Sequence, residues 1–343
     1  MKKTITISIC VAVLSLVATT ATAKSWRINS DATKNADFAD INAAMNSSNV
    51  AAGDTLYLDP GCLLTANQTV NKRVTIVGPG YLRNSAPHQG ATISGYLYLS
   101  AANAKIEGVT MTSYVYIRAQ YVTIERCRST AAIGNSDASY NSQYATIRQC
   151  YITRVEGVTA SNTKTAYWTI ENNIILNTSG YHTIQDLNIP TIRNNYISAN
   201  YNNSSLYPIA RIQGGMVINN IIFNKKTKNN VWSEMTDVVI NHNVTSSAEK
   251  TAYPDNKYLD SNDESAVFAL EGTYDQRFQL KADSPAKGYT TDDNGDCGPS
   301  GGTCPYVISG LPAGYPYYTK AVIGTRANNG KINVSLNIKM QNE

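Results

Sequence analysis

The residues best suited to chemistry in this chain are tyrosines. Tyr121, Tyr144 and Tyr167 recur at a constant step of 23, and Tyr151 and Tyr196 share a second column. If the chain repeats as a stack of strands about 4.8 Å apart, such columns offer aromatic surface and hydroxyls to sugar rings. Charged groups are sparser. Glycosidase chemistry needs two carboxyl groups flanking a sugar bond. The Asp292-Asp293 pair is the one Asp pair, and between Ala104 and Lys250 the only Asp residues are Asp137, Asp186 and Asp237. Asp292, Asn294 and Asp296 alternate as oxygen ligands do in a calcium loop, but lack the Gly and distal Glu of a full one. Calcium is therefore the one metal the sequence suggests. Cys297 and Cys304 bracket six residues rich in Gly and Ser, which in an exported chain predicts a local disulfide.

Positioning comes from a repeat. Tyr121-Val-Thr-Ile-Glu-Arg-Cys127, Tyr144-Ala-Thr-Ile-Arg-Gln-Cys150, Tyr167-Trp-Thr-Ile-Glu-Asn-Asn173 and Ile189-Pro-Thr-Ile-Arg-Asn-Asn195 align, and looser copies end at Asn220 and Asn243. The steps between these last residues are 23, 23, 22, 25 and 23. A period in the low twenties carried on β-branched runs predicts a solenoid. Ile124, Ile147, Ile170 and Ile192 point inward between polar neighbours, and Ile152, Ile175, Ile197 and Ile222 form a second inward column. Glu125, Arg148, Glu171 and Arg193 alternate in sign, which suits in-register parallel stacking. Cys127, Cys150, Asn173, Asn195, Asn220 and Asn243 read as a structural ladder at a bend. The asparagines there pass amide hydrogen bonds between rungs and take the left-handed backbone of the bend, and the two cysteines are buried thiols.

Rungs of this length, the Ile column and the Asn ladder resemble the right-handed parallel β-helix proteins of the pectin-lyase-like superfamily. The resemblance covers most of the chain beyond its first residues. It implies an all-β fold of about 22–23 residues per rung, and an extracellular glycan as the commonest partner. The activity it implies is that of a polysaccharide lyase or hydrolase, but the residue sets for these are absent. No His is flanked by Gly on both sides, Arg211-Ile-Gln213 lacks a following Lys, and no cluster of carboxylates gathers on the rungs. For a metal-independent lyase the candidates are Tyr181, His182 and Arg211, beside variable loops.

The rest of the chain frames this stack. Residues 1–23 read as a cleaved signal peptide: Lys2 and Lys3, an apolar Ile5 to Ala18, and Ala21-Thr-Ala23. That predicts export to the periplasm, cell surface or medium. Without Lys2 and Lys3, 27 basic residues face 25 acidic ones, which is no footprint for nucleic acid. No other stretch predicts a membrane span. Residues 24–52 read as an N-terminal cap with a short helix carrying Phe38, Ile41 and Met45, started by Asp37 or Asn35. The stack occupies 53–250, and 251–343 is a capping segment whose Lys331 to Met340 predicts a final strand folded back on the stack. The expected molecule is a monomer that binds polysaccharide on its lateral face. A lyase acting on an acidic glycan and an adhesive or structural spacer are the alternatives.

Overall fold

The computed structural model describes residues 23–343 apart from 82–83, 86–87, 136, 201–202, 204, 226–229, 248–249, 273, 292–294, 313–315, 324–333 and 341–343. The expected signal peptide, apart from Ala23, therefore lies outside the described residues. The chain forms a right-handed parallel β-helix with a ten-stranded sheet and a sixteen-stranded one, whose two arms share Arg128–Gly134 and Tyr151–Glu156 and are described as the second and third sheets. The first sheet has ten strands, from Ser25–Ile28 and Thr55–Leu58 through Thr123–Glu125 and Thr146–Arg148 to Val239–Asn241. The second runs from Leu63–Leu64 through the starts of Arg128–Gly134 and Tyr151–Glu156 to Lys257–Tyr258. The third comprises Gln68–Val70, Leu97–Leu99, Val115–Ile117, the ends of Arg128–Gly134 and Tyr151–Glu156, then Ile184–Asn188, Ile209–Gln213 and Trp232–Thr236.

Alternation in each strand drives one side chain in and its neighbours out. Ile76, Ile106, Ile124, Ile147, Ile170, Ile192, Val217 and Ile240 stand in register through the first sheet and are buried. Leu97, Val115, Ile133, Val155, Ile184, Ile209 and Trp232 do the same in the third. Each such side chain contributes roughly 1.5–3 kcal/mol on burial. The charge row forms as separate pairs rather than a continuous chain: Arg148 meets Glu125 at 3.1 Å and Arg193 meets Glu171 at 2.7 Å. These carboxylates are more enclosed than a surface row, since the Glu125 side chain is only 4% exposed. Burial alone would raise Glu125, but hydrogen bonds and charge from Lys105, with Arg148, outweigh it and hold the carboxyl below its usual range.

The ladder is longer than the repeat shows, and its backbone differs from expectation. Asn173, Asn195, Asn220 and Asn243 each accept backbone and side-chain N–H groups from the rung before, or a backbone N–H where that rung carries Cys150. Asn256 adds one further rung, accepting from Asn243 at 2.9 Å. The left-handed residues at this bend are the preceding ones: Arg126, Gln149, Asn172, Asn194, Asn219 and His242, with φ between 51° and 57°. The ladder side chain must turn inward between two sheets, so the residue before it takes the strained turn.

Cys127 and Cys150 fill the ladder as fully buried free thiols, and the Cys127 N–H points at the Cys150 sulfur at 3.4 Å. Burial pushes the Cys127 thiol from 9.0 to about 12. A thiol whose folded pKa exceeds its unfolded value contributes stability that is full below the unfolded pKa and lost as pH climbs toward the folded one. The urea midpoint is therefore expected to fall progressively between about pH 9 and 12, and less steeply in Cys127→Ala. A midpoint flat over that window would contradict it.

The N-terminal helix is Ile41–Asn46, and its cap is Asp40, whose Oδ1 accepts the Ala43 N–H at 2.7 Å; Asp37 instead accepts the Arg27 N–H, and Phe38 precedes the helix, bridging to Ile28. Past Lys257–Tyr258, the chain covers the outward side of the second sheet. Val267, Phe268, Phe278, Ala286 and Cys297 pack there on Ile174, Tyr196, Ile221, Phe223 and Val244 as a second core. The described residues between 289 and 311 then return as a strap over the corner between the first and second sheets. Four of the left-handed residues of that corner hold it: Asn219 Nδ2 on Thr291 Oγ1, Asn172 Nδ2 on the carbonyls of Pro299 and Gly301, Gln149 Nε2 on that of Pro305, and Arg126 Nη1 on that of Leu311. The last strand does not return to the stack as expected. Val334–Met340 instead pairs antiparallel with Pro316–Ile323 in a two-stranded sheet of their own.

Candidate functional site

With the second sheet covered, the outward sides of the first and third sheets remain for a ligand. The covering corrects one column of the sequence reading. Tyr196 is fully buried and its hydroxyl donates to Glu264, while Tyr151 is half-buried beside Tyr81 at 6.5 Å. Burial, then the Glu264 charge, drives Tyr196 well above its ordinary pKa. Tyr196 is a core residue rather than a surface for sugars.

The third sheet carries a tyrosine cluster in which Tyr96 is exposed and Tyr98, Tyr114 and Tyr116 are half-buried. Tyr98 and Tyr116 are in register on Leu97–Leu99 and Val115–Ile117 and stack at 5.0 Å and 15°. Tyr114 stacks on Tyr116 at 4.3 Å, and Tyr96, 44% exposed, stands edge-on to Tyr98 and Tyr116. The Arg118 guanidinium lies 4.2 Å from the Tyr98 ring centre and 4.5 Å from that of Tyr140. The Tyr114 hydroxyl donates to Glu156 Oε1 at 2.7 Å, across the position of Gly134. A Cβ on Gly134 would come within 2.1 Å of the Glu156 carbonyl and 2.9 Å of the Tyr114 hydroxyl, so only glycine lets the two meet. Arg154 pairs with Glu156 at 3.2 Å and covers the Tyr181 ring at 4.1 Å. The sequence signal for this cluster was the paired alternation Tyr-Leu-Tyr-Leu and Tyr-Val-Tyr-Ile. Its rungs are 18 residues apart, outside the 23-residue period.

The three residues expected for elimination chemistry lie on or beside this same sheet, but they are committed elsewhere. Arg211 grips Asp186 through Nε and Nη2, both at 2.7 Å. That hydrogen bonding raises its pKa against the lowering effect of burial, so it stays a cation already neutralised by protein. Asp186, Arg211 and Glu234 share one register position, all left-handed, with φ of 61°, 53° and 53°. His182 is 7% exposed, and its Nδ1 accepts the Tyr207 N–H at 2.9 Å. Burial, then the Arg211 charge, lowers its pKa, so the ring is neutral with its acceptor nitrogen occupied. Neither offers a free base. Tyr181 is exposed, under Arg154.

Tyr121, Tyr144 and Tyr167 form the expected column at the corner leading into the first sheet, each left-handed and 40–48% exposed. Their rings stack on one another at 4.9 and 5.0 Å, with planes within 8°. Stacking uses the ring faces against each other, so the column shows solvent mainly edges and hydroxyls.

The remaining expectations fall near the strap. Asp292 and Asn294 lie outside the described residues, and Asp296 Oδ1 accepts the Gly288 N–H at 3.1 Å. Cys297 and Cys304 are free thiols, not a disulfide. Cys297 turns into the second core and donates to the Tyr289 carbonyl, whereas Cys304 is half-exposed near Arg148 on the opposite side of the strap. No helix among the described residues is long and apolar enough to cross a membrane.

No family model and no curated protein matches the chain. Among solved structures, that of pectate lyase Pel9A, likewise a parallel β-helix, aligns with 81% of this chain and 96% of its own at 12% identity and a TM-score of 0.35. The architecture described above stands on the strand registers alone.

Proposed function

We propose that this protein binds a polysaccharide along the outward face of its third sheet. The observation that carries the reading is the Tyr96, Tyr98, Tyr114, Tyr116 cluster with Arg118 laid over it. Pyranose rings present apolar C–H faces and polar rims. Rigid tyrosines match both at low entropic cost; because Tyr98, Tyr116 and Tyr114 stack in a row under Arg118, the sugar would meet the row along its ring edges and hydroxyls. Arg118, Gln185 and the Arg154–Glu156 pair extend the same face with donors and acceptors along the stacking axis. An extended chain lying along that axis meets one rung after another. The committed states of His182 and Arg211 favour binding over elimination, and export suits a glycan outside the cell.

Affinity electrophoresis of the folded chain through gels containing neutral and acidic polysaccharides tests this, alongside an ultraviolet screen for unsaturated uronate. The expected result is retardation by at least one polymer and a flat absorbance trace. Migration unaffected by every polymer would sink the reading. A rising trace would replace it with a lyase whose base lies elsewhere on this face.

A further inference from the structure

We propose that the cleft beneath the strap is a second site, built for a single neutral sugar unit or a polyol of that size. It does not rest on the lateral-face reading, because it lies at the corner between the first and second sheets, away from the third. The cleft measures 330 Å³, and among the described residues Glu171, Arg193, Asn194, Ile218, Thr290 and Thr303 line it. That volume is at the small end for ligand pockets, enough for one ring and too little for a polymer.

Its chemistry is set by one ion pair. Glu171 and Arg193 face each other on adjacent rungs. Arg193 directs both Nε (2.9 Å) and Nη2 (2.7 Å) to the same oxygen, Glu171 Oε2. Among the described residues, Glu171 Oε1 and Arg193 Nη1 have no hydrogen-bond partner. A carboxylate oxygen accepts from a hydroxyl, and a guanidinium N–H donates to one, so the pair matches two neighbouring hydroxyls of one molecule. Its charges cancel: an anion would meet Glu171 and a cation would meet Arg193, which leaves a neutral polyhydroxylated ligand. Thr290 Oγ1 accepts the Gly295 N–H at 3.0 Å and keeps its own proton to donate. The exposed Thr303 hydroxyl makes no hydrogen bond among the described residues, and Ile218 supplies an apolar wall. The opposite wall is held in place by the strap contacts of Asn172 and Asn219.

The test is titration of the full folded chain with neutral hexoses, deoxyhexoses and pentoses, followed by saturation-transfer NMR, with glucuronate and sulfate as charged probes. At least one neutral sugar is expected to bind saturably. Its affinity is expected to fall tenfold or more in Arg193→Met, to fall measurably in Thr303→Val, and to stay unchanged in Tyr98→Ala/Tyr116→Ala. Thr303→Val removes an exposed, unbonded hydroxyl, so it reports even if Arg193→Met fails to fold. The proposal is overturned by the absence of saturable binding, by tighter binding of a charged probe, by Thr303→Val and Arg193→Met both binding as wild type, or by loss of binding only in the Tyr98/Tyr116 variant. That last outcome would assign the sugar to the lateral face and leave the lateral reading intact.

Discussion

Asn195→Ala is expected to cost the fold roughly 4 kcal/mol, because several buried polar groups lose partners at once and each stranded group costs about 1–3 kcal/mol. The Asn195 side chain accepts the Asn173 N–H and its Nδ2, and donates to the carbonyls of Ile170 and Arg193 and to Asn220 Oδ1. Asn173 and Asn220 are themselves fully buried, so water cannot replace the lost bonds. Because each rung contacts only its neighbours, a break at this central position is also expected to divide the stack's cooperativity. Urea unfolding followed by circular dichroism reads both effects, as a large fall in midpoint and a lower slope. Loss of less than about 1 kcal/mol would mean that the ladder is dispensable. Cys150→Asn tests the same physics in reverse. It is expected to retain stability, since an amide there would accept the Cys127 N–H that the thiol now meets at 3.4 Å.

Tyr98→Ala/Tyr116→Ala is expected to weaken polysaccharide binding about thirtyfold, which corresponds to about 2 kcal/mol of lost aromatic contact. Both rings point outward from strands whose inward residues are Leu97, Leu99, Val115 and Ile117, so the stack should fold unchanged. The same double substitution at Tyr121 and Tyr144 is expected to change affinity less than threefold, or about 0.6 kcal/mol, because that column stands at the corner leading into the first sheet, away from the third. Binding isotherms on the retained polymer separate the two columns. Equal losses from both pairs would assign the ligand to the corner as well as the sheet.

The fold was legible because its strongest signals are local and periodic. Ile124, Ile147, Ile170 and Ile192 recur in one phase, and Glu125 against Arg148 announces parallel register before any coordinate is seen. What the sequence hid depends on long-range packing. Tyr196 looks like its outward neighbours until residues some 70 positions later close over it. Asn256 escapes the ladder because it arrives after a step of 13. The residues that bend each rung are those before the ladder, and Arg126 and Gln149 are not types that advertise a left-handed turn. The Tyr98/Tyr116 stack lay in shorter rungs, so the period that found the solenoid passed it by.

The central claim is that a polysaccharide lies along the third sheet. Hydrogen-exchange mass spectrometry with and without the polymer that retards the protein addresses it most directly. The account predicts added protection in peptides covering Leu97–Leu99, Val115–Ile117 and Tyr151–Glu156, with the Thr123–Glu125 and Thr146–Arg148 strands of the first sheet unchanged. Protection confined to the first sheet and its Tyr121, Tyr144, Tyr167 corner, or no protection on a polymer that binds, would contradict it.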